Sequence, residues 1–401
     1  MKNNLSIDPP AKVPALALSW PDPFSFGSRG RSPSTKHNEL PHKALHCKLE
    51  GETPGEPREW KEPPRAPNVT FAGALIVILG CAIAAAVLIF RRLEPGEVQR
   101  QSRFLMDTYC TIQVPGTAEV SGAISNAFER MADIDRRFNA LNPQSPVYQF
   151  NVSGTPIADR EIVDLVGTAL DVAARTDGAF DITVYPLVER WGFYGKVRAV
   201  PAPSKIEEDL KRVGWQSIAI EDGRVIRRRE DVRIDLGGIA KGYAVGEAVR
   251  ALKASGVRSA LVDAGGDIYA FGQIRGRPWR VGIRNPRGDG IIGTLELSDE
   301  SVTTSGDYER FFDENGVRYH HILDPHTGYP ARGVISATVV SSNAALADAW
   351  STAVFVLGAE KGLKLIEQAP GLEAFVVTAE GERLRSPGLK NRLREIANPP
   401  G

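Results

Sequence analysis

The sequence predicts an α+β domain built from mixed, largely antiparallel sheets with packed helices. One observation favours this class over a doubly wound α/β sheet, and a second shows that the chain can form a domain of this size. Segments with strand and helix patterns occur in groups along the chain instead of alternating strictly. Residues 101–398 also have the composition of an ordinary globular protein and are long enough to bury a substantial core.

The spacing of apolar residues predicts the elements of this domain. In the first helix, Ile124, Phe128 and Met131 recur at helical intervals. Ser204 with Glu207 forms a capping box, and Asn343 is an N-cap of the last helix. The helices are predicted at residues 118–141, 159–176, 204–213, 242–255 and 343–357. The strands are predicted at residues 104–114, 217–220, 224–226 and 232–234, in a long run to about 340, and in a hairpin at 373–385, with a turn-rich segment at 142–153.

The chain before this domain has a different character. Residues 1–70 hold 12 of the 28 prolines and little hydrophobic periodicity, so they bury too little apolar surface to offset the entropy of ordering. We therefore expect a disordered arm. Residues 71–90 are 20 residues without a charge, and as a helix they would span about 30 Å, the thickness of a bilayer's hydrocarbon core. This predicts a transmembrane anchor, with a buried apolar helix as the alternative.

The charges beside the apolar segment bear on its orientation. Arg58, Lys61 and Arg65 precede it, and Arg91 and Arg92 follow it. The small excess on the N-terminal side favours a cytoplasmic N-terminus. The chain is thus predicted to be anchored in the inner membrane with its globular domain on the periplasmic or extracytoplasmic side.

Charge and cysteine content exclude several classes of function. The chain has 49 basic and 49 acidic residues. The one basic run of the globular part, residues 227–229, is typical of a solvated surface, so nucleic acid is not expected as a partner. The cysteines Cys47, Cys81 and Cys110 form no CxxC motif and suggest neither a disulfide nor a zinc site.

A glycine-rich segment, DLGGIAKG at residues 235–242, leads from a predicted strand into a helix. Such a turn presents free backbone N–H groups at a helix N-terminus, which suits a phosphate group. A simple tight turn is the alternative. The presence of Asp235 and Lys241 favours a nucleotide site.

A second segment, YHHILDPHTGYP at residues 319–330, holds three of the six histidines. Strand alternation puts His320 and His321 on opposite faces, so that one of them can point into a cleft. A zinc site competes with this interpretation. However, no cysteine is near, and the spacing lacks the helical HxxxH pattern.

A third segment, ADAWSTA at residues 347–353, places Asp348 and Thr352 four residues apart on one helix face. A carboxylate with a hydroxyl suits Mg²⁺ better than zinc. The residues alone favour a plainer alternative, in which Thr352 bonds back to the carbonyl of residue 348 and Asp348 is solvated. A fourth segment, GAFDIT at residues 178–183, is by itself only a strand start with an aspartate.

Taken together, these segments resemble the FAD:protein FMN transferases, the ApbE-like family. The resemblance runs from about Phe104 to Gly358, and its markers occur in family order. They are Met106-Asp107-Thr108, Ser145 with Asn151, GAFDIT, DLGGIAKGYA, LVDAGGD, TTSGDYERFF, HHILDPHTGYP and ADAWSTA. The resemblance implies an ApbE-like α+β fold with the catalytic domain at residues 101–398.

The resemblance also implies a reaction. Such an enzyme binds FAD as substrate with Mg²⁺, cleaves the pyrophosphate, and attaches FMN through a phosphoester to a Thr or Ser of a partner protein, releasing AMP. The acceptor implied here is a flavin-carrying membrane redox subunit. The other interpretation is a membrane-anchored FAD-binding protein or FAD pyrophosphatase without a dedicated acceptor.

Roles follow from the resemblance residue by residue. His321 would be the base that deprotonates the acceptor hydroxyl, and its ordinary pKa near 6.5 suits that role. The metal would be held by the Gly238 carbonyl with Asp348 and Thr352. The residues implied to contact FAD are Met106, Ala179, Phe180, Asp181, Asp235 and Lys241. Two positions depart from the family pattern. Asp107 replaces a glycine, and Leu141 stands where the family often has a tyrosine that stacks on the flavin ring.

Overall fold

A computed structural model of the protein describes residues 98–116, 120–195 and 197–396. The arm predicted at residues 1–70 and the anchor predicted at residues 71–90 lie outside these ranges. Within them, no helix combines the length and the apolar character needed to cross a membrane.

The described part of the chain contains helices and strands in groups. The helices are α1 (Ser121–Phe138), α2 (Pro146–Ser153), α3 (Arg160–Arg175), α4 (Tyr185–Arg190), α5 (Pro203–Leu210), α6 (Ala240–Ala254), α7 (Ala344–Leu357) and α8 (Ala359–Glu367). The strands are β1 (Val98–Leu105), β2 (Thr108–Pro115), β3 (Ile218–Glu221), β4 (Arg224–Arg227), β5 (Ala260–Ala264), β6 (Asp267–Phe271), β7 (Gln273–Ile274), β8 (Arg277–Arg284), β9 (Ile291–Leu297), β10 (Glu300–Gly306), β11 (Phe311–Glu314), β12 (Val317–His320), β13 (Val334–Ser341), β14 (Leu372–Thr378), β15 (Arg383–Arg385) and β16 (Arg394–Glu395).

The main sheet has eight strands in the order β1-β2-β5-β6-β10-β13-β14-β15. A four-stranded sheet has the order β16-β9-β8-β7, and β3–β4 and β11–β12 form separate two-stranded sheets. The paired strands run antiparallel. The predicted α+β class with largely antiparallel sheets is therefore confirmed.

The main sheet is covered on both faces. Helices α1, α6 and α7 pack together, and α7 lies on β10 and β13 with a large apolar core beneath it. A second core, which includes Trp279, Leu295 and Phe375, fills the space between the opposite face and the four-stranded sheet. Strand β13 is consequently buried at every position, as expected for a strand between two layers. A third cluster around Trp191 joins α4 and α5 to the β11–β12 hairpin.

Four of the predicted helices are confirmed with shifts of a few residues at their ends, namely α1, α3, α6 and α7. Asn343 caps α7 as predicted, because its side chain accepts hydrogen bonds from the backbone N–H groups of Ala345 and Leu346. The helix predicted at 204–213 also exists, but its capping box is wrong. Pro203 occupies the first turn, so Ala202 is the N-cap and Ser204 lies inside the helix.

Two predictions near the start of the domain are wrong for local reasons. The single opening strand is a hairpin, since Met106 and Asp107 adopt φ of 52° and 56° and turn the chain between β1 and β2. A two-residue hairpin turn with both φ positive favours glycine, asparagine or aspartate at the second position. The segment predicted as turn-rich contains α2, which the Ser145 side chain caps through the Tyr148 N–H at 3.0 Å.

Residues 232–234 are not a strand, although Val232 and Ile234 are apolar and β-branched. The side-chain amide of Asn151 takes the place of a neighbouring strand. Its nitrogen donates to Ile234 O and its oxygen accepts from Ile234 N, both at 2.8 Å. Asp235 N then donates to Ile182 O at 2.7 Å. Helix α2 thus holds the segment that leads into the glycine-rich turn.

Candidate active site

A cavity of about 380 Å³ lies where the β1–β2 turn, the start of α6, the middle of α7 and the β11–β12 hairpin meet. Residues from each of the sequence segments described above line this cavity. The predicted site residues in the lining are Met106, Ala179, Phe180, Asp181, Asp235, Gly238, Lys241, His321, Asp348 and Thr352. The structure therefore brings together side chains that are up to about 250 positions apart in the sequence, as a shared ligand site requires.

The glycine-rich turn is shaped by Asp235. One carboxylate oxygen accepts from the backbone N–H of Gly237 at 2.8 Å, and the other accepts from the Tyr194 hydroxyl at 2.6 Å. Gly238 lies against the Phe180 ring, since a Cβ at this position would come within 3.1 Å of that ring. A side chain here would push the Phe180 ring by a few tenths of an ångström, so glycine allows the closest packing of the turn against this wall of the cavity.

Lys241, in the first turn of α6, forms an ion pair with Asp267 at the start of β6. Burial alone would lower the pKa of Lys241, but the charges of Asp267 and Asp348 overcome that effect and raise it above its ordinary value. Lys241 is therefore positively charged at neutral pH. The ion pair between the Lys241 ammonium and Asp267 holds the first turn of α6 against β6. Lys241 therefore stabilises the glycine-rich turn in addition to lining the cavity.

Asp348 is held on α7 by a contact with α6. Its Oδ2 accepts from the backbone N–H of Gly242 at 2.8 Å, and Asp348 is only 3% exposed. The two helices approach so closely that a Cβ on Gly242 would lie 2.2 Å from the backbone oxygen of Ala344. This contact corrects the idea of a solvated Asp348.

The Thr352 hydroxyl does not bond back to the carbonyl of residue 348, as the plainer alternative supposed. It lies 3.3 Å from the Ser305 hydroxyl on β10, and it is Ser351, not Thr352, that donates to the carbonyl of Asp348, at 2.8 Å. The Thr352 hydroxyl thus faces the cavity beside Asp348.

The oxygen donors of Asp348, Thr352 and Gly238 fit a small hard cation. Burial raises the pKa of Asp348 to about 7, and the nearby charge of Asp267 adds to the shift. Two carboxylates thus share one local cation, Lys241, which leaves an excess of negative charge that a divalent cation would balance. In the described residues no cluster of three or more His, Cys, Asp or Glu side chains is arranged to hold a metal, so this set rests on one carboxylate.

His321 stands just after β12, opposite Arg310 at the open end of the hairpin. The Arg310 carbonyl accepts from the His321 backbone N–H at 3.0 Å and lies 3.2 Å from Nδ1. A carbonyl oxygen can only accept, so Nδ1 carries the proton and Nε2 keeps its lone pair. The hairpin thereby fixes the tautomer that a general base needs.

The electrostatic state of His321 differs from the expectation of an ordinary histidine. Burial and the positive charge of Arg310 lower its pKa to about 3. The imidazole is therefore neutral throughout the physiological range. An anionic substrate in the cavity would favour the protonated form and raise this pKa, so the base becomes stronger when the substrate binds.

His320 points to the other side of the strand, as the alternation predicted. It is 2% exposed, packs edge-on against Phe355, and has Nε2 2.9 Å from the Ala331 carbonyl. Burial lowers its pKa to about 4. His320 is thus a neutral core residue outside the main cavity.

Asp181 lines the cavity, but both of its carboxylate oxygens already accept hydrogen bonds from nearby residues. One carboxylate oxygen accepts from the N–H and hydroxyl of Thr183, and the other accepts from the N–H of Trp215 at 2.9 Å. Burial raises its pKa. Its immediate effect is to shape the wall that carries Ala179 and Phe180.

The two departures from the family pattern lie at the cavity. Asp107 occupies the turn position with φ of 56°, which aspartate tolerates better than most residues. The glycine of the family pattern is thereby explained by backbone conformation. Leu141 lines the cavity with 44% of its surface exposed, so it offers an aliphatic surface there.

Sequence reasoning missed three residues that shape the site. Asp267 was visible as the last residue of LVDAGGD, but nothing local showed that it pairs with Lys241. Arg310 stood inside TTSGDYERFF without an assigned role. Tyr194, which donates to Asp235, gave no sequence signal, because its partner is 41 residues away.

Comparisons with known proteins agree with this architecture. The model of the ApbE family matches residues 106–376. A Treponema pallidum protein named FAD:protein FMN transferase is 33% identical over 353 residues, which cover 81% of this chain and 95% of that protein. An Escherichia coli K12 protein of the same name is 30% identical over 307 residues, covering 72% and 87%.

Solved structures show the same relationship. The ApbE protein of Thermotoga maritima superimposes with a TM-score of 0.70 at 37% identity, covering 75% of this chain and all of that one. The Pseudomonas stutzeri flavinyl transferase ApbE gives a TM-score of 0.66 at 31% identity, covering 74% and 96%. The motifs, the fold and these matches together show that the chain belongs to the ApbE family of FAD:protein FMN transferases.

Proposed function

We propose that this protein is a flavin transferase that takes FMN from FAD and attaches it through a phosphoester bond to a Thr or Ser hydroxyl of a partner protein. The observation that carries the proposal is a single cavity in which the free Nε2 of His321 faces the same space as Asp348 and Thr352. Relatives in the same family carry the name of this activity.

In this proposal the residues have distinct tasks in the transfer, which the geometry supports. His321 Nε2 accepts the proton of the acceptor hydroxyl, and the hydroxyl oxygen forms a bond to the phosphorus on the FMN side of the pyrophosphate. The bond from that phosphorus to the bridging oxygen breaks, and AMP leaves with the bridging oxygen and its electron pair. The start of α6 supports this step because its N-terminal N–H groups favour the charge of a phosphate.

A divalent cation, Mg²⁺ in this proposal, would neutralise the pyrophosphate and the departing AMP. Asp348, Thr352 and the Gly238 carbonyl would hold it. Gly242 orients the carboxylate for this purpose through its N–H bond to Asp348 Oδ2.

The experiment that tests the function is incubation of the purified protein with FAD, Mg²⁺ and a candidate acceptor, a flavin-carrying membrane redox subunit. Flavin fluorescence in a denaturing gel should mark the acceptor, and chromatography should recover AMP in equal amount. An acceptor whose target Thr or Ser is replaced by Ala should stay dark. Release of AMP and free FMN without a labelled protein would instead identify a FAD pyrophosphatase.

Asp348→Ala and Thr352→Ala are each expected to raise the Mg²⁺ concentration needed for half-maximal transfer, because each removes one oxygen donor. Thr352→Ala should change folding little, since alanine suits a helix interior, whereas Asp348→Ala also leaves the buried Gly242 N–H without its acceptor and should cost about 1–3 kcal/mol of stability. Titration of transfer activity with Mg²⁺ measures the shift, and Ser351→Ala, one position away and facing β10, serves as the control. Identical titration curves for wild type and both variants would contradict the metal assignment.

The membrane location is part of the same proposal and rests on the uncharged segment at residues 71–90. With this segment as an anchor and the N-terminus in the cytoplasm, as the flanking charges favour, the catalytic domain would work on the extracytoplasmic side. Fractionation of cells that express the full chain, followed by protease treatment of spheroplasts, tests both points. Recovery of the full chain in the soluble fraction would overturn the anchor.

A further inference from the structure

Negatively charged side chains outnumber positively charged ones in the cavity lining. Its carboxylates are Asp107, Asp135, Asp181, Asp235, Asp267, Glu309 and Asp348, and its permanently cationic side chains are Lys241 and Arg310. FAD brings two further negative charges with its pyrophosphate. A site for such an anion needs positive groups that are not already consumed by internal ion pairs.

Lys241 does not meet this need by itself, because Asp267 holds its ammonium in an ion pair. Arg310 is different. Within residues 98–116, 120–195 and 197–396, its guanidinium forms no hydrogen bond, no ion pair and no contact with an aromatic face, and the residue is exposed and belongs to the cavity lining. It is thus a free cation in the lining.

The backbone of Arg310 is tied to the base of the reaction. Its carbonyl accepts from the N–H and from Nδ1 of His321, so the two residues are fixed relative to one another at the open end of the hairpin. A base within hydrogen-bond reach of the attacking hydroxyl must lie close to the phosphorus that the hydroxyl attacks. The phosphoryl oxygens therefore come within the range of the Arg310 side chain.

The electric field of Arg310 supports this placement. Its positive charge lowers the pKa of His321, and it also opposes the overall rise in the pKa of Lys241, which lies on α6. The charge of Arg310 is thus felt both on the hairpin and on α6, the two elements that carry His321 and Lys241.

We propose that Arg310 is a further catalytic residue, whose guanidinium binds the phosphoryl oxygens of FAD and stabilises the negative charge that develops during transfer. This inference rests on the proposed function. The planar guanidinium can donate two parallel hydrogen bonds to a phosphate, which a lysine cannot reproduce. Phosphoryl transfer depends on such positioned positive charge because the protein supplies little covalent chemistry.

Arg310→Gln is the variant that tests the proposal, with Arg318→Gln on the same hairpin as the control. Arg318 pairs with Asp313 and lies outside the cavity lining, so its replacement changes the charge equally without touching the substrate. Fluorescence titration of FAD, without a divalent cation so that FAD stays intact, should show affinity about 10- to 100-fold weaker for Arg310→Gln. Riboflavin, which has the ring but no phosphate, should bind all three proteins equally.

Transfer activity provides the second measurement. Arg310→Gln should lower kcat by about 10²- to 10³-fold, Arg310→Lys should recover part of the loss, and Arg318→Gln should match wild type. Equal FAD affinity and equal transfer in Arg310→Gln and wild type would overturn the role of Arg310 while leaving the proposed function intact. A wild-type protein that binds no FAD would instead overturn both.

Discussion

His321→Ala is expected to keep its fold and its affinity for FAD and to lose about 10²- to 10⁴-fold of its transfer activity, the usual contribution of a positioned general base. The variant leaves the Arg310 carbonyl bonded to the backbone N–H of residue 321, so the hairpin end persists. It removes the imidazole, and with it the free Nε2, the Nδ1 contact with the Arg310 carbonyl and the edge contact with Phe193. Flavin fluorescence of the acceptor, measured beside FAD binding, separates loss of chemistry from loss of substrate.

His320→Ala is the matched control, since it changes the neighbouring histidine on the opposite face. It should reduce stability, because His320 packs against Phe355 in the core, but the transfer activity of the folded fraction should remain. If His320→Ala were instead the inactive variant, the assignment of the base to His321 would be wrong, and the base would lie on the opposite face of the strand. If neither variant lost transfer, the base would lie elsewhere. Asp181 and Asp324 would be weak substitutes, since their carboxylates already accept local hydrogen bonds.

The pH profile offers an independent check on His321. Its pKa of about 3 lies below the ordinary value, so the free protein holds a neutral imidazole above that pH and the base is lost only as the pH falls through it. We therefore expect kcat/KM, which reports the free enzyme, to show no acidic limb near pH 6.5 from this residue. Such a limb, present in wild type and absent in His321→Ala, would contradict the lowered pKa.

Gly242→Ala is expected to disrupt both stability and activity, although alanine is the better helix former. The new Cβ would lie 2.2 Å from Ala344 O and 2.7 Å from Asp348 Cβ. Backbone cannot move aside as a flexible side chain can, so α6 and α7 must separate. Overpacking of this kind typically costs about 1–3 kcal/mol. The hydrogen bond from the Gly242 N–H to Asp348 would also be lost or distorted. The metal-dependent transfer activity should therefore decrease by a larger factor than the fraction of folded protein.

Gly246→Ala, one turn further along α6, is the control for this prediction. A Cβ there meets Ala344 Cβ at 3.9 Å, an ordinary van der Waals contact. This variant should therefore gain about 0.5–1 kcal/mol from helix propensity. Thermal unfolding of both variants measures the difference. Equal and small effects at positions 242 and 246 would show that the two helices do not meet as closely as described.

Much of the fold followed from local patterns. Helices such as α1 and α7 were predicted because apolar spacing and an N-cap residue act within a few positions of one another. The errors arose where a local signal was overruled. Pro203 displaced the capping box at Ser204, two residues with positive φ split the opening strand at Met106, and the Asn151 amide replaced a strand partner for Ile234.

The candidate site likewise has features that the sequence predicted and features that only the folded structure shows. The order of the motifs was enough to identify the family and to name many of the residues that line the cavity. Each motif can be recognised from the residue types within a few positions of the sequence. The sequence also predicted that His320 and His321 face opposite sides, since strand alternation is a local property. It could not give the state of these groups, however. The tautomer and lowered pKa of His321 come from Arg310 and from burial, which the hairpin creates only on folding.

The sequence by itself thus determined many of the residues that enter the site and the class of fold that carries them. The tertiary structure decided which of those residues are committed to one another. Gly242 and Asp348 meet across 106 positions and Lys241 and Asp267 across 26, whereas the guanidinium of Arg310 has no such partner among the described residues. These pairings depend on how closely α6, α7 and the main sheet pack. Packing distances arise from contacts among many distant side chains, so no short segment of the sequence encodes them.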